Sequence, residues 1–124
     1  MKNTFKKAER LHKKKLIKEL FEKGSSFYLF PFKVIYTPAP ADITNTQILI
    51  SVPKRSFKKA VDRNKIKRRI REAFRLNKQS LKISDNILIA YLYTAKESLP
   101  FDKIESQMVA ILKKLSKIDE IYQG

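Results

Sequence analysis

Apolar positions along this chain repeat with two different periods. Leu16, Ile17, Leu20 and Phe21 are spaced i, i+1, i+4, i+5, one stripe of a helix. The spacing predicts an amphipathic helix over 9–23, stopped by Gly24, a residue free to take the left-handed conformation that ends helices. Residues 26–37 are instead dense in aromatic and branched side chains (Phe27, Tyr28, Phe30, Phe32, Val34, Ile35, Tyr36). They read as one or two strands, with Pro31 marking an edge, a bend or a break. Residues 38–42 (Pro-Ala-Pro-Ala-Asp) form a loop. Residues 46–52 then form a strand closed by Pro53.

In the second half, Ile66, Ile70, Ala73 and Phe74 return to helical spacing and predict a helix over 61–77, with Asp62 as its N-cap. A polar connection, 78–85, leads to the nearly continuous apolar run 86–93, the pattern of a strand covered on both faces. Pro100 opens a last helix, in which Phe101, Ile104, Met108, Ile111, Leu112 and Leu115 share one face. The order αβββαβα predicts an α+β sandwich in one domain, residues 1–124, with helices covering a sheet. Residues 1–8 read as a flexible basic N-terminus and 119–124 as a frayed end.

Charge changes this picture from a fold to a binding surface. The chain carries 28 Lys and Arg against 12 Asp and Glu, a net charge of +16. Self-repulsion of that size opposes compaction unless an anionic partner relieves it. Eleven of the 28 cations fall in residues 54–75, beside only two acids, Asp62 and Glu72. At 100° per residue, Asn64, Lys67, Arg68, Arg71 and Arg75 occupy one flank next to the apolar face, whereas Lys65 and Arg69 fall on the outer side near Glu72. A rigid one-sided array of guanidinium and ammonium groups matches a polyphosphate, so nucleic acid is the expected partner.

Other classes fit less well. The longest apolar run is strand-sized, short of the ~20 residues of a membrane-spanning helix, and the basic N-terminus lacks the apolar stretch of a secretory signal. There are no cysteines, as suits a reducing cytoplasm. The only histidine, His12, sits among Lys13, Lys14 and Lys15. Side-chain hydrolysis of RNA needs an acid and a base, or a metal held by carboxylates, and the acids here are scattered. With Gly24 and Gly124 the only glycines, no Gly-rich phosphate loop exists. A second surface is expected at the strand aromatics: most belong in the core, but one or two could stack single-stranded bases or line a cleft with Ile17 and Phe21.

The segment Ala60-Val61-Asp62-Arg63-Asn64-Lys65-Ile66-Lys67-Arg68-Arg69-Ile70-Arg71-Glu72-Ala73-Phe74-Arg75 resembles the RNR signature of the bacterial ribonuclease P protein subunit family, AVxRNRxKRxxRExFR. Arg10-Leu11 with Phe21 and Gly24 is similar to the family's N-terminal pattern, and Ser51-Val52-Pro53-Lys54-Arg55 to the strand end that leads into the motif. Two departures stand out. Lys65 replaces an arginine, and Lys58 stands where a glycine is usual, in a loop about one residue longer.

The resemblance implies a fold like that of ribosomal protein S5 domain 2, with a left-handed βαβ crossover. It also implies a monomeric partner, in a 1:1 complex, of a catalytic RNA that removes the 5′ leader of precursor tRNA with Mg²⁺, no catalytic residue lying on the protein. By position, Lys54, Arg55, Lys59, Arg63, Asn64, Lys65, Lys67, Arg68, Arg71 and Arg75 would bind RNA. Ile17, Phe21, Lys33, Ile35 and Tyr36 would line a cleft for the leader. A ribosomal or other structural RNA-binding protein with no part in tRNA processing is the alternative reading. A nuclease built on His12 is a third.

Overall fold

The computed structural model describes residues 9–123, with side chains described as far as Ile121. The expected flexible N-terminus, 1–8, lies outside them. The elements are α1 (Lys14–Lys23), β1 (Ser25–Leu29), β2 (Phe32–Pro38), β3 (Gln47–Ser51), α2 (Ala60–Asn77), β4 (Ile87–Tyr93) and α3 (Phe101–Gln123), with a 3-10 turn at Lys78–Ser80. α3 thus stays helical through 119–123, where a frayed end is expected from sequence. A cis Phe30-Pro31 bond sits in the turn between β1 and β2, so Pro31 separates two strands.

The sheet runs β1-β2-β4-β3. β1 with β2 and β2 with β4 are antiparallel, whereas β3 and β4 are parallel and joined through α2. Strand alternation sorts the side chains. Phe32, Val34, Ile48, Ile89, Tyr91 and Tyr93 face the larger core, where Ile66, Ile70, Ala73 and Phe74 of α2 and Ile104, Met108, Ile111, Leu112 and Leu115 of α3 cover them. Ile35, Leu88 and Ala90 face a smaller cluster closed by Leu11, Leu16 and Leu20. β4 is buried on both faces, as its unbroken apolar run requires. Burial pushes the Tyr91 hydroxyl upward in pKa, and that hydroxyl has no hydrogen-bond partner among the described residues.

Three local expectations are corrected. α1 begins at Lys14 rather than residue 9, because Arg10 bridges to Ile48 and the Leu11 amide donates to the Ile48 carbonyl at 2.8 Å. Those backbone groups serve the sheet instead of a helix. Asp62 is not the N-cap of α2. Lys59 holds that position without a side-chain cap, and Asp62 lies in the first turn, where a carboxylate still complements the helix dipole.

Gly24 is extended, at φ −69° and ψ 149°. What demands glycine is space. A Cβ there would press on the Leu20 carbonyl oxygen and come within 2.7 Å of Ile35 Cγ2. Gly24→Ala should therefore lose about 1–3 kcal/mol, the usual cost of overpacking, read as a lower urea midpoint with unchanged m-value.

Candidate nucleic-acid interface

α2 docks through Ile66, Ile70, Ala73 and Phe74, all essentially inaccessible, and Phe74 meets Tyr91 edge-on at 6.4 Å between centroids. With that stripe fixed, the other faces are fixed too. Asn64, Lys65 and Arg68 are exposed, while Lys67 and Arg71 are half-buried where the helix overhangs β3. Lys67 and Arg71 line one small recess with Arg10. Burial, then the neighbouring Arg10 and Arg68 charges, holds the Arg71 guanidinium below its ordinary pKa.

Three basic side chains of α2 also serve the fold. Arg63 Nη1 donates to the carbonyls of Phe57 at 2.7 Å and Lys58 at 2.9 Å, folding the β3–α2 loop back over the helix start. Phe57 anchors the same loop from below, its ring 6.0 Å from that of Tyr93. Arg75 makes a two-point pair with Glu72, its Nε donating at 3.1 Å. That hydrogen bond lowers the Glu72 pKa and raises that of Arg75. Arg69 donates to Ser98 Oγ at 2.9 Å and to the Leu99 carbonyl at 2.7 Å. Helical phase alone sets Arg69 on the outer side near Glu72, but its long stem reaches back to the loop before α3.

Lys54, Arg55 and Lys59 stand exposed on the β3–α2 loop. Arg55 lines an open depression of about 900 Å³ with Lys33, Ser51, Leu92, Thr94 and Lys96. Its floor belongs to the cross-strand row Tyr28, Lys33, Leu92, Ser51, on the α1 face of the sheet. Tyr28 is 55% exposed, and its hydroxyl lies 3.0 Å from Thr94 Oγ1.

Of the residues expected in a cleft, Ile17 packs against the cluster that holds Ile35 beneath α1. Phe21, 47% exposed, and Lys33 are accessible. Tyr36 does not join them. Successive strand residues face opposite sides, so Tyr36 sits on the other face, 5.8 Å from the Phe27 ring. Sequence reasoning missed Lys96, which no local pattern marks, and Arg10, whose signal lay only in the Arg10-Leu11 pair. His12 is exposed, with Nδ1 3.1 Å from the Arg10 carbonyl, and among the described residues no group of three or more His, Asp or Glu converges as a metal site.

The family model for Ribonuclease P matches residues 5–116. The chain belongs to the ribonuclease P protein family. Among its relatives, the ribonuclease P protein component of Porphyromonas gingivalis is 33% identical over 111 residues, covering 82% of this chain and 79% of the relative. That of Petrotoga mobilis is 35% identical over 115 residues, covering 90% and 95%. The solved RNase P protein of Thermotoga maritima superposes with a TM-score of 0.71 at 28% identity, covering 86% of this chain and 96% of that one. The family's α+β architecture, with its four-stranded mixed sheet, is therefore the one described above.

Within the family motif, the first arginine does structural work here. Arg63→Ala would strip the Phe57 and Lys58 carbonyls of a charged donor, costing about 1.5–3 kcal/mol. Amide exchange in 54–59 should accelerate by mass spectrometry, whereas Asn64→Ala, on the exposed side, should stay within about 0.5 kcal/mol of the parent.

Proposed function

We propose that this chain is the protein subunit of a ribonuclease P ribonucleoprotein, binding the catalytic RNA along the α2 flank and the 5′ leader of precursor tRNA across the open part of the sheet. The observation that carries this reading is the continuity of two basic surfaces. The β3–α2 loop brings Arg55 to the depression beside Lys33 and Lys96 and then leads directly into the flank bearing Asn64, Lys67, Arg68 and Arg71. A polyanion long enough to span both would meet cations on each.

In this reading the protein binds and positions, and the RNA cuts. In the same reading Mg²⁺ supplies the hydrolytic chemistry when bound by the RNA. The cations have two tasks: they draw the RNA in by long-range attraction and release its counterions on contact. Guanidinium groups on a rigid helix grip phosphate oxygens through two parallel hydrogen bonds, which fixes register as well as strength. Phe21 and Tyr28, both accessible, offer ring faces to unpaired leader bases. No helix among the described residues is long and apolar enough to cross a membrane. Formation of a 1:1 complex by a single protein copy is part of the same reading.

The test combines purified chain, cognate catalytic RNA and precursor tRNA at low Mg²⁺. Faster cleavage and tighter substrate binding are expected. RNA binding without either effect would favour a structural RNA-binding role and overturn the proposal. The Arg68→Ala, Arg71→Ala double variant should weaken RNA binding and lower its log–log salt slope by about two, with a far-UV spectrum close to the parent's. Unchanged affinity at physiological salt would remove the flank from the interface.

A further inference from the structure

Across the sheet, Ser25, Tyr36, Ile89 and Ile48 stand abreast in one row, on the face that α2 and α3 cover. Ile48 and Ile89 are sealed from water. Tyr36 is only half-buried, and Ser25, on the edge strand, brings no more than a hydroxymethyl group. α3 continues past Leu115 over this corner, so Ile118 and Asp119 overhang a place that the sheet leaves unfilled. The result is a hollow of about 340 Å³ between the last turns of α3, the start of β1, the end of β2 and the start of β4. Sites for small organic molecules run to roughly 300–1,000 Å³, and this one is of the smaller kind.

The walls are apolar. Tyr36, Pro38 and Ile87 belong to the sheet, and Leu115 and Ile118 come from the helix. Tyr36, Ile87 and Ile118 keep part of their surface in contact with water, and a ligand that covered it would gain by displacing that water.

Charge at the rim runs against that of the chain. Among the described residues lining the hollow, Asp85 and Asp119 are acidic and Lys23 is basic, whereas the whole chain carries 28 cations to 12 acids. Asp119 is held in place: its Oδ2 accepts from the Ser84 amide at 3.0 Å and from the Ser84 hydroxyl at 3.4 Å. The same tie fastens the loop that bears Asp85 to α3. Among the described residues, none from α2 or β3 lines the hollow. It is separate from the basic flank and from the depression at Arg55.

We propose that this hollow binds a small organic cation with a flat apolar body, an aromatic amine or amidine. Its ring would lie against Tyr36 and Ile118, with the charged end turned to Asp85 and Asp119. An anionic ligand would meet two carboxylates beside walls of low polarity, where repulsion is strong. A bare metal ion would leave the apolar walls uncovered. A flat cation satisfies both walls and rim, and the face of the Tyr36 ring adds its own attraction for positive charge. The site goes beyond the reading of the chain as an RNA-binding subunit, because its ligand has the opposite charge.

The experiment titrates the full chain with benzamidine at physiological salt, followed by amide NMR correlation spectra. Benzamide serves as the neutral ligand of like shape and benzoate as the anionic one. Benzamidine should saturate with a dissociation constant on the order of 1 mM, as suits so small a molecule, shifting the amides of 36–37, 83–87 and 115–119. Benzamide should bind about tenfold more weakly, and benzoate should not saturate. The double variant Asp85→Asn, Asp119→Asn removes both charges while leaving an oxygen for Ser84. In it, benzamidine should bind no better than benzamide. Ser25→Leu should fill the hollow, weaken benzamidine by roughly tenfold or more and raise the melting temperature.

Equal affinity of the parent chain for benzamidine and benzamide, or saturable binding of benzoate, would rule out a cation site. Shifts without saturation at scattered acids such as Glu22, Glu97 and Asp102 would mean only a general attraction of cations and would sink the proposal. If the double variant lost its native spectral dispersion, Ser25→Leu would decide alone. Unchanged benzamidine affinity there would overturn the hollow as the site.

Discussion

The burial of one narrow stripe on α2 is the constraint on which the interface depends. Ile66, Ile70, Ala73 and Phe74 occupy about a third of the helix circumference and are fully withdrawn from water. Each large side chain among them contributes roughly 1.5–3 kcal/mol on burial. That gain outweighs the repulsion among the cations on the remaining surface, whose solvent-exposed pairs interact weakly at ordinary ionic strength. Once the stripe is docked, no freedom of rotation about the helix axis remains. Asn64, Arg68 and Arg71 then stand in fixed positions, and the charges become a shape rather than a cloud.

The same docking explains why some cations are spent inside the protein. Arg63 closes the loop that precedes α2, Arg69 holds the loop that precedes α3, and Arg75 is matched to Glu72. Long stems and multiple donors let arginine satisfy backbone carbonyls that would otherwise lose hydrogen bonds on burial. Lysine cannot replace the fork in these places. Lys65, the departure from the family motif, falls instead on the exposed side of the helix.

Much of this was legible in the sequence. The periodicity of Ile66, Ile70, Ala73 and Phe74 identified the buried face residue for residue, and the run of apolar side chains at β4 marked a strand covered on both sides. What could not be read was set by tertiary contact. Nothing local distinguishes Arg63 as a loop clamp or makes Lys96 a neighbour of Arg55 and Lys33. The Gly24 requirement arises from Ile35 and the Leu20 carbonyl, a strand and a helix approaching too closely for any Cβ. Tyr36 is a different kind of miss: strict alternation from Ile35 already sends it to the opposite face.

The loop between β4 and α3 has a consequence for binding thermodynamics. Tyr93 Oη donates to the Glu97 carbonyl at 2.7 Å and accepts from the Leu99 amide at 3.1 Å. Arg69 grips Ser98 and Leu99, and Thr94 donates to the Pro31 carbonyl from both its amide and its hydroxyl. Lys96 therefore rides on a backbone already immobilised at both ends. Ordering a flexible loop subtracts free energy from every association that requires it; here that entropy is surrendered during folding. A ligand meeting Lys96 has only the outer bonds of one side chain left to still.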